Sequence, residues 1–106
     1  MRKIPEKQRA TMAQDAFYKR CCYPWSHNCG GKIEFHHNLI FGGRQSNIME
    51  TILPVCQNIH DQARNTEVKE KMDLIMLRRM TPAQILSISK AINYKLRLQY
   101  LENKYS

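Results

Sequence analysis

The histidines and cysteines are the residues of this chain that could do chemistry. His36 and His37 are adjacent, His60 follows on a segment with helical spacing, and Cys21, Cys22, His27, Cys29 and Cys56 lie around them. Imidazole, with an unperturbed pKa near ~6.5, both accepts a proton at neutral pH and ligates divalent metals. On a strand the two neighbouring histidines would point to opposite faces, so one could hold a metal while the other meets a substrate. At a bend, both could face one cleft. Four cysteines in a chain with no apolar leader, since MRKIPEKQRA is polar, favour metal ligation or free thiols over disulfides. Cys21-Cys22, His27, Cys29 and Cys56 could supply a mixed-ligand structural zinc site, for which Cys22, His27, Cys29 and Cys56 are the candidates. A second CxxC would require a ligand at position 59, where Ile59 stands. The competing reading is reduced cysteine packed as a small hydrophobe.

Several elements must position these residues. Lys32–His36 alternates, with Ile33 and Phe35 on one face, and suits a short strand. Asn38–Phe41 could be its hairpin partner, ending at Gly42-Gly43, and Thr51-Ile52-Leu53 is a further apolar piece stopped by Pro54. Val55 to about Ala63 reads as a helix that sets Cys56 and His60 four apart on one face. Downstream, Thr66 is expected to cap a helix carrying Val68, Met72, Ile75 and Leu77. Thr81-Pro82-Ala83-Gln84 combines a capping box with proline at the first helical position. The stripe Ile85, Ile88, Ile92 and Leu96 follows and extends that helix to about Glu102, as core or a dimer seam. Residues 1–20 read as an arm or a short helix.

The chain has 106 residues, 17 Lys+Arg against 9 Asp+Glu, a net charge of +8 and 42% hydrophobic residues. That length suits one domain, 1–106, and excludes a multidomain enzyme. The apolar fraction excludes a disordered polycation, yet the core is small enough to benefit from a metal or a partner subunit. No apolar run approaches a membrane span. Residues 1–20 carry net +4, residues 21–60 net 0 and residues 61–106 net +4, so the basic excess flanks a neutral Cys/His centre. A polyanion, with nucleic acid foremost, is the expected partner, inside a cell and without a membrane.

The run Glu34-Phe35-His36-His37, with Gly42-Gly43, Asn47 and Leu53-Pro54-Val55-Cys56-Gln57-Asn58-Ile59-His60, resembles the HNH endonuclease motif of the ββα-metal fold. The stretch His37–Gln45 followed by Ile52–Cys56 is closer still to small phage-type HNH proteins. The likeness covers about residues 20–64, with a weaker one near Tyr100–Tyr105. It implies an α+β domain: a ββα-metal core over 21–64, a basic arm or helix before it and a helical extension over 65–106. It also implies a metal-dependent DNA endonuclease in phage DNA processing, packaging or recombination, acting in the cytoplasm of a bacterial host. The alternatives are a non-catalytic zinc-stabilised nucleic-acid-binding module and an accessory subunit of a phage DNA-processing complex. A homodimer or phage packaging and recombination proteins are the expected protein partners.

Carried over by residue, the resemblance makes His37 the general base and His36 and His60 ligands of a divalent Mg, Mn, Ni or Zn ion. Asn47 is the residue that orients the base. Two registers compete at the helix. In the favoured one Cys56 belongs to a zinc ribbon and His60 to the nuclease metal; in the other, both hold the nuclease metal. Arg44, after the glycine pair, is a candidate phosphate clamp. Phosphate contacts by Lys and Arg carry little sequence information, so binding should weaken steeply with salt.

Overall fold

The computed structural model describes residues 4–39, 46, 48–88 and 93–105. Residues 1–20, read as an arm or helix, form α1 (Glu6–Ala13) and a 3-10 turn over Ala16–Lys19 capped by Asp15, whose carboxylate accepts from Phe17 N. β1 (Ile33–His37) pairs antiparallel with β2 (Ile52–Cys56), in the register that sets His36 opposite Leu53 and His37 opposite Ile52. α2 (Gln57–Asp61) follows β2 directly, and α3 (Thr66–Arg79), α4 (Pro82–Ile88) and α5 (Tyr94–Tyr105) complete a small mixed α+β architecture.

The partner of β1 is β2, where the sequence suggested Asn38–Phe41. Asn38 lies just past the strand, its N–H donating to Thr51 O at 2.8 Å, while Ile40 and Phe41 lie outside the described residues. Pro54 does not stop β2. Its carbonyl accepts from Cys22 N at 2.8 Å on the edge away from β1. The ring nitrogen of an extended residue faces the same edge as its carbonyl, so the missing N–H costs the ladder nothing. Consequently the strand runs to Cys56, whose backbone is extended, and the helix expected from Val55 starts at Gln57.

β2 is buried along its whole length because the molecule covers both faces of it. Leu53 and Val55 join Ile59, Val68, Met72, Leu77 and Leu101 in the main core. Ile52 meets Ile4, Met12 and Tyr18 of the N-terminal segment in a second cluster. α3 is the central helix. Asn65 caps it, one residue before the expected Thr66, with Oδ1 accepting from Glu67 N and Val68 N at 3.0 and 3.2 Å. Asparagine caps at least as well as threonine.

The capping box at α4 forms as expected. Thr81 N donates to Gln84 Oε1 at 2.9 Å, and Gln84 N donates to Thr81 Oγ1 at 3.2 Å. Gln84 Nε2 also donates to Glu50 Oε1 at 2.7 Å and ties α4 to the turn before β2. Thr81→Ala should therefore cost about 1 kcal/mol, read by urea denaturation; an unchanged midpoint would exclude a stabilising cap. One continuous helix to Glu102 was expected, but Asn93 caps a separate α5, accepting from Lys95 N and Leu96 N. Leu96 is 62% exposed and does not continue the Ile85 face. α5 instead docks on α3 through Leu101 in the main core and through charge: Glu70 accepts from Tyr105 Oη at 2.6 Å and Lys104 Nζ at 3.0 Å.

Candidate metal centre and histidine cavity

Two groups of potential ligands lie at opposite ends of the β2–α2 junction. The first is Cys21, His27, Cys29 and Cys56, whose ligand atoms all lie within 4.8 Å of one another. Cys56 ends β2, and the loop carrying His27 and Cys29 is pressed against the start of α2. Gly31, at φ +84°, makes this approach possible, because a Cβ there would sit 2.7 Å from Gln57 Cβ and the backbone is left-handed. Asn58 Nδ2 donates to Asn28 O across the same contact. The Sγ of Cys21 and Nε2 of His27 are 3.7 Å apart. Ligands bonded at about 2.0–2.3 Å around a tetrahedral zinc lie roughly 3.5–3.8 Å from each other, so the spacing fits.

The donor chemistry fits as well. His27 Nδ1 is 2.7 Å from Trp25 O. A ring N–H donated there leaves the Nε2 lone pair for an ion, the usual outer support of a metal-binding histidine. Burial raises the Cys56 thiol, but N–H groups of Ile59 and Gly30, with the Cys29 and His27 side chains, outweigh it and hold Cys56 at about 6. The hydrogen bond to Cys56, then burial, pushes Cys29 up to about 11. One thiolate is thus already favoured, and bound zinc would deprotonate the rest.

Cys21, not Cys22, completes this group. Of the adjacent pair, only Cys21 brings its sulfur within 4.8 Å of the other three ligand atoms. Both cysteines pack against the main core, but burial pushes the Cys22 thiol up to about 12. Cys21→Ser should lower bound zinc per chain well below that of Cys22→Ser, measured by metal analysis of the purified proteins; equal losses would overturn the distinction.

The second group lines a cavity of about 350 Å³ that contains His36, His37, His60, Asp61, Arg64 and Lys69. His36 and His37 end β1, and both line this cavity. The rings of His36 and His60 stand edge to face with centroids 5.4 Å apart. Burial first, then the positive surroundings of His60, Lys69 and His37, lower the His36 pKa to about 4, so it is neutral at pH 7. Burial also lowers that of His37.

Cys56 and His60 are therefore divided between the two groups. Cys56 closes a strand rather than opening the helix, so the i, i+4 relation that would have joined them does not arise. Asn47 and Arg44, proposed from sequence to orient the base and clamp phosphate, lie outside the described residues, as does Gly42-Gly43.

The strand exit beyond His37 is anchored by residues that sequence reasoning did not single out. Asn38 is 1% exposed and donates through Nδ2 to Asp73 Oδ1 at 2.8 Å. Lys69 Nζ donates to Leu39 O at 3.0 Å and pairs with Asp73. The Lys69–Asp73 spacing of four was visible in the sequence as a helical pair, but its contact with residues 38 and 39, some 30 positions away, was not.

No protein-family model matches this chain, and no curated protein or solved structure is significantly similar to it. Among the described residues no helix is long and apolar enough to cross a membrane.

Proposed function

We propose that this chain is a metal-dependent DNA endonuclease of the HNH type, in which β1, β2 and α2 form a ββα-metal core. The observation that carries the reading is the convergence of His36 and His37 from the end of β1 with His60 from α2 on one cavity. Two imidazoles bonded to one ion at about 2.0–2.1 Å in tetrahedral disposition hold their ring centres roughly 5 Å apart. The His36–His60 separation of 5.4 Å is close to that. A neutral His36 is the form a metal ligand requires.

His36 and His60 would hold the divalent ion. When bound, such an ion supplies Lewis-acid stabilisation of charge on the phosphate and the leaving oxygen. His37 is unprotonated at neutral pH and takes a proton from the attacking water at an imidazole nitrogen. Burial keeps its lone pair free by disfavouring the imidazolium. The basic residues on either side of the Cys/His centre hold the DNA backbone without reading sequence. A structural zinc on Cys21, His27, Cys29 and Cys56 would fix the loop against α2, on residues separate from those proposed for the chemistry.

The test is supercoiled plasmid incubated with Mg²⁺, Mn²⁺ or Ni²⁺. Cleavage that requires added metal and is lost in His37→Ala is expected. DNA binding without cleavage under any metal would favour the zinc-stabilised binding module instead.

A further inference from the structure

We infer that Arg64 forms a phosphate subsite at the mouth of the histidine cavity, holding a backbone phosphodiester of the bound nucleic acid. The inference rests on the nuclease reading for the identity of its ligand. Two cations line this cavity, and they are not equivalent. Lys69 is committed, with its ammonium paired to Asp73 and bonded to Leu39 O at 3.0 Å. Arg64 is exposed and, among the described residues, makes no ion pair. Asp61 lines the same cavity three residues earlier without pairing to it.

The backbone that presents Arg64 is held in place. Gln62 N donates to Ile59 O at 3.0 Å, Ala63 N to His60 O at 3.2 Å and Asn65 N to Gln62 O at 2.8 Å. These bonds carry the chain round from α2 to the Asn65 cap of α3, and so bring Arg64 back to the cavity that His60 lines. A guanidinium held on such a turn offers a planar pair of N–H donors matched to two phosphate oxygens. Its charge favours an anion over a neutral ligand on its side of a cavity that otherwise presents imidazoles, the Asp61 carboxylate and one compensated lysine.

The experiment uses a fluorescent 20-bp duplex titrated with the full chain carrying His37→Ala, from 50 to 300 mM NaCl, alone and combined with Arg64→Ala or Arg64→Lys. Arg64→Ala should weaken binding about tenfold at 100 mM NaCl and reduce the salt slope by ~0.9, the loss of one phosphate contact. Arg64→Lys should keep the slope, because the charge remains, and recover only part of the affinity. Unchanged affinity and slope in Arg64→Ala would overturn the subsite, whatever the plasmid assay reports. An Arg64-dependent slope in a protein that cuts nothing would preserve the subsite and overturn the nuclease. A wild-type chain that neither binds nor cuts DNA would overturn both.

Discussion

His37→Ala is expected to lower the rate of plasmid cleavage by ~10²–10⁴-fold, the range that removal of a positioned general base produces. The substitution removes the group that takes the proton from water and leaves the proposed metal ligands His36 and His60 in place. DNA affinity should therefore change little, and the loss should fall on the turnover number rather than on substrate binding. His37 is largely buried, at 8% exposure, so truncation to alanine also opens a void. His37→Asn keeps most of the volume and still cannot serve as the base. If both variants keep the circular dichroism spectrum and melting temperature of the wild type while losing cleavage, the loss is chemical. Cleavage at the wild-type rate by either folded variant would remove His37 from the mechanism.

The second large effect is expected on stability. Stripping metal with a strong chelator, or replacing Cys56 with serine, should lower the melting temperature sharply and convert the 21–31 loop and α2 to a dynamic state. Structural zinc sites in small peptides are worth about 10–16 kcal/mol of apparent binding free energy at pH 7. A whole domain of this size is stable by only about 5–15 kcal/mol, so loss of the ion would leave little of the fold. Cys56 is the residue to change because it joins the centre to β2, at the point where the ladder hands over to α2. Re-addition of Zn²⁺ should restore the melting temperature of the chelated wild type and not that of Cys56→Ser. An identical melting temperature before and after chelation would support the packed-thiol reading of these cysteines. Because the histidine cavity uses different residues, the two predictions separate. Cys56→Ser should act through folding, and His37→Ala through chemistry in a folded chain.

Local signals were legible wherever a few adjacent residues decide the outcome. The strand expected from alternation at Lys32–His36 forms at Ile33–His37, and the α4 start follows from Thr81, Pro82 and Gln84, whose reciprocal hydrogen bonds span only three residues. The cap of α3 was displaced by one residue because Asn65 and Thr66 are both competent caps and only the helix axis chooses between them. The extension of β2 through Pro54 was not legible. Whether a proline interrupts a strand depends on which edge its nitrogen faces, and that is known only once Cys22 is seen to occupy the outer edge. The same holds for the carboxylates of α3. Glu70 and Asp73 look like the solvated face of a helix in sequence, yet both are buried, because α5 and the end of β1 bring Tyr105, Lys104, Arg97 and Asn38 to them.

By itself the sequence determined the kinds of donor present, four imidazoles and four thiols in a neutral centre between two basic flanks, because composition and order carry that information directly. It could not determine how those donors divide. Cys21 and Cys22 are equivalent on paper, and Cys56 and His60 are four apart whether or not a helix joins them. The tertiary structure decided both points. The folded loop brings the Cys21 sulfur to His27, Cys29 and Cys56 and leaves Cys22 out, although both cysteines pack against the main core. The helix begins only after Cys56, so that thiol closes the first site while His60 turns toward the histidines of β1.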